Sequence, residues 1–208
     1  MKTIDVSMPG LQNLLYQLLE TELGGVQVYT AALEAVQNED LEEEWEKYLD
    51  ETKQHVHIAR RIVEAFGLDP TRETPARMVV RRIGETLVSN IREAIAAGDP
   101  SAAEIVAAEA VVEAETKDHL NWELLSQVAK NLNGETAKLV RDAIETVEPQ
   151  EDHHLYHTKG WARELWMVAF GLPAVLPPPE EVKHVETAIG AARAEKARDK
   201  MAKSQPKH

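Results

Sequence analysis

Seven residues of this 208-residue chain share one chemistry: Glu22, Glu51, His55, Glu115, His119, Glu151 and His154. Each falls on or near the apolar stripe of a helical segment when residues are set about 100° apart. Glu22 lies between Leu18 and Val26, on the line through Leu15 and Tyr29. His55 points with Tyr48, Ala59 and Ile62, and Glu51 lies about 40° away. Gln54 falls about 100° from that centre and His57 nearly opposite. Glu115 shares a side with Ala108, Val111, Val112 and Trp122, and His119 follows one turn later. Glu151 and His154 align with Val140, Val147, Leu155, Ala162 and Leu165.

Carboxylates turned inward repel one another and cost on the order of several kcal/mol each to desolvate. Two divalent cations would neutralise them. Carboxylate oxygen with imidazole suits iron or manganese, and zinc also takes such sites. Plainer roles stay open for single residues: a hydrogen-bonded core imidazole for His55, an outer partner or half-exposed ring for His119. Tyr29, Tyr48 and Trp122 read as core packing, His153 and His157 as exposed, and Glu42-Glu43-Glu44 as a solvated face.

The elements that must position these groups are helices. Ala, Leu, Glu, Lys, Gln and Arg dominate, while Gly and Pro cluster between segments. Apolar spacing predicts helices over about 11–36, 41–66, 102–132 and 135–170, with a shorter one over 76–97 carrying Val79, Ile83, Leu87 and Ile91 inward. Pro149 should kink or break the last long helix. The expected fold is all-α: a four-helix bundle over 1–172 whose long crossover holds an extra helix. A proline spacer and a charged C-terminal helical tail follow over 173–208, on the surface or fraying. Gly24-Gly25 would let another backbone approach closely, a dimer contact being one use.

A weak internal repeat runs through the chain. Glu22 precedes Tyr29 by seven residues, as Glu115 precedes Trp122, and the stretch from Glu51 to His57 matches that from Glu151 to His157 at an offset of 100. One Glu from each of two helices with Glu-x-x-His from each of two others is the ligand set of di-iron bundles. On Glu22 in TELGGVQVY, Glu51 in DETKQHVHIARRIVEAFGLDP, Glu115 in VEAETKDHLNW and Glu151-Asp-His-His154, the chain resembles the ferritin-like superfamily over roughly 10–172. It is nearest to bacterioferritin- and rubrerythrin-like bundles and YciE-type stress proteins. The resemblance implies that Glu22 and Glu115 are single-carboxylate ligands, that Glu51 and Glu151 bridge or cap, and that His154 holds one metal. The chain departs from the family at residue 54, a Gln where the family has His. Either a π-bulge or changed register brings His55 in, or one metal lacks its imidazole.

The resemblance further implies a non-haem dimetal oxidoreductase, with iron the expected metal, that reacts with dioxygen or peroxide and takes electrons from an external donor or from Fe(II). Two other classes remain: an iron-binding or storage protein without turnover, and a structural bundle whose acids pair with Lys or Arg. A homodimer or larger homo-oligomer is expected. A net charge of −13 argues against nucleic acid as partner. From Arg193 onward six Lys or Arg face two acids, leaving a basic tail of about +4 on a body of about −17. With no cysteine, disulfides, Cys-ligated zinc and rubredoxin-type iron are excluded. No secretory leader or membrane span is expected, and a cytoplasmic location is the reading.

Overall fold

Four of the five long helices start where a side chain or proline settles the free amides of the first turn. In the computed structural model, which describes residues 6–204, α1 spans Met8–Leu33, α2 Glu39–Ala65, α3 Pro75–Ala96, α4 Pro100–Ala129 and α5 Gly134–Ala169. The Asn38 side chain accepts from the amides of Asp40 and Leu41, Thr74 from Arg77 and Asp99 from Ala102. After α2, Gly67 takes a φ of 70°, a left-handed value that a β-carbon would oppose. All regular structure among the described residues is helical. Residues 1–5, the start of the segment read for a leader, lie outside the description. None of the described helices is long and apolar enough to cross a membrane.

α5 runs unbroken through Pro149, where the sequence suggested a kink or break. Proline removes one ladder bond, and a 36-residue helix anchored by buried residues on both sides outweighs that loss. The sequence boundaries otherwise hold to within a few residues.

α1 and α2 form one antiparallel hairpin and α4 and α5 another; α1 packs on α4 and α2 on α5. α3 lies along α1 and α4, with Arg77 and Arg81 near its start gripping buried Glu20 of α1. It therefore returns the chain along the bundle, as the crossover reading requires. Its inner face is the expected one only in part: Leu87 and Ile91 are buried, but with Val80 and Val88, while Val79 and Ile83 are exposed. Packing against two helices, α1 and α4, rotates the buried face away from the simple stripe.

Gly24 does admit a close backbone, and it belongs to the same chain: α3 brings Gly84 against it. A β-carbon at residue 84 would stand 3.4 Å from the Gly24 Cα. We expect Gly84→Ala to be tolerated or mildly stabilising, because alanine favours the helix by about 1 kcal/mol. Gly84→Leu should force the helices apart and destabilise by about 1–3 kcal/mol, read as a lower urea midpoint.

The apolar core is divided into two clusters along the bundle. One gathers Tyr29, Leu41, Trp45, Tyr48, Val111 and Trp161; the other Leu15, Leu18, Ile62, Trp122, Leu125 and Val140. On each of α1, α2, α4 and α5 the changeover between clusters falls at mid-helix, and there stand Glu22, His55, Glu115 and Glu151 with His154. The apolar clusters supply roughly 1.5–3 kcal/mol for each large side chain buried, which can sustain a polar belt between them.

The tail is docked on the surface, as one of the two expectations had it, and does not fray. α6 (Pro179–Val182) and α7 (Ala188–Ser204) follow the proline spacer. Fully buried Glu164 of α5 accepts from Arg163, Arg198 of α7 and the Val175 amide. Burial alone would raise its pKa, but Arg198 and Arg163 hold it below the usual range. Gly160 lets Glu180 approach so closely that a β-carbon would meet its Oε2 at 2.7 Å. Hydropathy misses this contact because it is made by ion pairs. Residues 205–208 of the tail lie outside the described residues.

Candidate metal centre

At the polar belt, α1 contributes Glu22, α2 His55, α4 Glu115 and α5 both Glu151 and His154. Ligand atoms of Glu22, His55 and Glu151 lie within 4.8 Å of one another, as do those of Glu115, Glu151 and His154. Glu151 belongs to both groups. His55 Nδ1 stands 3.0 Å from Glu151 Oε1 and 3.7 Å from Glu22 Oε2. His154 Nδ1 stands 3.6 Å from Glu115 Oε2 and 3.7 Å from Glu151 Oε1. Atoms that share an ion at about 2.1 Å are roughly 3–4 Å apart, so these spacings suit coordination.

The outer nitrogens explain why both rings face inward by Nδ1. His55 Nε2 donates to Gln150 Oε1 at 2.8 Å, and His154 Nε2 donates to Glu51 Oε2 at 2.9 Å. Each bond places a proton on Nε2, so that Nδ1 is the nitrogen left for a metal once the ring is neutral, as ligating histidines require. Glu51 thus stands as an outer partner that is partly exposed, apart from both ligand groups. The cause is angular: its side chain leaves α2 on the flank nearer solvent and meets the far edge of the His154 ring.

Gln54 is exposed and His55 fully buried, with α2 a regular helix throughout. No π-bulge is needed. The repeat read from sequence is one residue out of register. The contact of Glu51 with His154 is mirrored by that of Gln150 with His55, an offset of 99 that pairs His55 with His154 and Thr52 with Glu151. The matches of Glu51 with Glu151 and His57 with His157 at an offset of 100 are coincidental; His57 is exposed. The α1 and α4 repeat does carry across: the Trp122 indole donates to Glu22 Oε1 at 2.7 Å, while Tyr29 interacts with Glu115.

Asp118 was missed. It is buried one turn after Glu115, and Asp118, Glu22 and Glu151 press on one another electrostatically. The signal was present, because Glu115-x-x-Asp118 has the spacing of Glu151-x-x-His154. His119, in contrast, turns away: its Nε2 meets Asp152 Oδ1 at 2.9 Å and the ring is partly exposed. His157, read as exposed, is buried, and its Nδ1 accepts the Tyr48 hydroxyl at 3.0 Å. Burial, reinforced by His153 and Lys47, pushes this ring down to about 3 and keeps it neutral. Tyr48 in turn packs on His154, with ring centroids 4.3 Å apart.

Charge at the belt is poorly compensated by protein alone. Burial, with repulsion from Asp118 and Glu151, lifts Glu22 well above the usual carboxylate range. Asp118 and Glu151 are lifted by burial and by neighbouring acids. Burial works against a charged His154, but Glu115, Glu51 and Glu151 outweigh it and raise the ring to about 10. Among the described residues no Lys or Arg forms an ion pair with Glu22, Glu115, Asp118 or Glu151, as a purely structural bundle would need.

One buried atom on each of six side chains has no hydrogen-bond partner: Glu22 Oε2, His55 Nδ1, Glu115 Oε2, Asp118 Oδ1, Glu151 Oε2 and His154 Nδ1. Native interiors rarely leave such atoms unsatisfied. Four carboxylates balance the charge of two divalent ions, so the donor set fits such a pair. His55→Ala should then remove one of two bound ions per chain and Gln54→Ala neither, as measured by elemental analysis after desalting.

Compared with known protein families, curated proteins and solved structures, the chain matches none of them.

Proposed function

We propose that this chain is a ferritin-like dimetal protein, and that its site is a non-haem oxidoreductase centre for dioxygen or peroxide. The observation that carries the reading is the set of six orphaned donor atoms, five of whose side chains form two groups that share Glu151. Glu22 with His55 would hold one ion and Glu115 with His154 the other, with Glu151 between them and Asp118 as the fourth carboxylate. Iron, the expected metal, would supply the electrons for reducing the oxidant when bound there. Manganese or zinc suits the same donors.

The chain's own residues do the rest. Gln150 and Glu51 fix the two imidazoles in the ligating tautomer, and Trp122 orients Glu22. The two apolar clusters above and below keep bulk water from the belt. The chain has no cysteine for a built-in rubredoxin-like donor, so electrons would come from an external partner or from Fe(II).

A second reading, iron binding without turnover, is favoured by Thr52. It stands where the repeat would supply a second bridging carboxylate. Anaerobic loading with Fe(II), followed by exposure to air, tests both. Two ions per chain with oxidation faster than free Fe(II) supports the oxidoreductase. Two ions oxidised no faster than free Fe(II) supports binding alone, and no bound iron contradicts both.

A further inference from the structure

A cavity of about 440 Å³ opens on the α4–α5 face, and one residue of the metal centre, Glu151, lines it. Trp122, whose indole holds Glu22 of the same centre, lines it as well. Glu151 is 1% exposed, and its Oε2 has no hydrogen-bond partner. A residue with a buried, unsatisfied carboxylate oxygen therefore lines a cavity that reaches outward.

The walls are acidic. Glu123 of α4, Glu148 and Asp152 of α5 and Glu186 of the tail line the cavity, and no Lys or Arg does. His119 holds Asp152 in place at 2.9 Å, which gives this ring a role the ligand reading did not. The docked tail closes the far side with Ala188. His119, whose pKa Asp152 raises, is outnumbered by these four acids, and a cleft of net negative charge concentrates cations and speeds their arrival.

We infer that this cavity is the route by which divalent cations reach the dimetal site, with Glu123 and Asp152 drawing them in and the tail as one wall. The inference rests on the dimetal reading, and it adds which face the cation enters by and which side chains set its rate. Conversely, the docked tail becomes a functional part of the molecule, since removing its wall would change access.

Co(II) uptake followed by stopped-flow absorbance tests it. The variants are Glu123→Gln with Asp152→Asn, which removes charge, and Ala188→Trp, which fills the cavity. Glu145→Gln, an exposed acid on α5 outside the cavity, is the control. We expect all of them to bind two Co(II) per chain at equilibrium. The double variant and the plugged variant should load about tenfold more slowly than wild type, and the control at the wild-type rate. Added salt should slow wild type more than the double variant. If wild type takes up two ions and both cavity variants load at its rate, the route is wrong and the site stands. If wild type takes up no Co(II), the site and the route fall together.

Discussion

We expect Glu151→Gln to abolish binding of the two proposed metal ions while leaving the metal-free fold at least as stable as wild type. Glu151 is the one residue common to both ligand groups, so its loss strips each ion of a carboxylate and removes the link between them. We expect affinity to fall by more than ~100-fold, beyond the 10–100-fold typical of losing an outer partner. Glu22→Gln and Glu115→Gln should each weaken one ion chiefly. The amide is nearly isosteric and relieves repulsion among Glu151, Glu115, Glu22 and Asp118, so the unloaded fold does not suffer. Calorimetric titration with Co(II) together with thermal unfolding reads both halves. A Glu151→Gln variant that binds two ions with wild-type affinity would remove Glu151 from the centre.

The second large effect is a change in how stability depends on pH. His154 is raised to about 10 in the metal-free fold, against 6.5 ordinarily. From pH 7 to 9 the folded protein therefore holds a proton that the unfolded chain has released. Its contribution is fully present below 6.5 and is lost as pH rises toward 10. The raised carboxyls of Glu22, Asp118 and Glu151 act in the same direction. Histidines pushed down, such as His55 and His157, are neutral in both states over this window and drop out. Metal-free protein should lose up to about 1.4 kcal/mol per pH unit from His154, roughly 3–5 °C of melting temperature. Metal binding competes with protons for these same groups, so loading should raise the melting point and flatten the slope. A metal-free melting point that is level or rises from pH 7 to 9 contradicts this.

Much of the site was legible before any coordinates because burying a carboxylate is costly enough to stand out. Glu22, Glu115, Glu151 and His154 interrupt apolar stripes at matching depth, and periodicity alone finds such interruptions. Angle likewise favours His55 over Gln54, while leaving open whether either residue completes the α2 ligand set. What periodicity could not supply was the direction of a side chain near the stripe's edge. Glu51, about 40° off centre, reaches the outer nitrogen of His154, while His119 turns to Asp152. Asp118 lies outside the pattern of Glu and His, although its spacing from Glu115 matches that of His154 from Glu151.

The fold shows the same division. Helices, breaks and the crossover follow from local rules, with Asn38, Thr74 and Asp99 each at a helix start. The rotated inner face of α3 and the docked tail depend on partners distant in sequence, Gly24 in one case and Glu164 in the other. A polar surface helix and a helix clamped by buried ion pairs have the same composition.

Anomalous X-ray diffraction from metal-loaded crystals bears most directly on the central claim. Two peaks should appear about 3.5–4 Å apart, on either side of the Glu151 carboxylate, one beside His55 Nδ1 and the other beside His154 Nδ1. No peak between those rings, or Lys or Arg side chains occupying the space, would mean that these six side chains meet for some other reason.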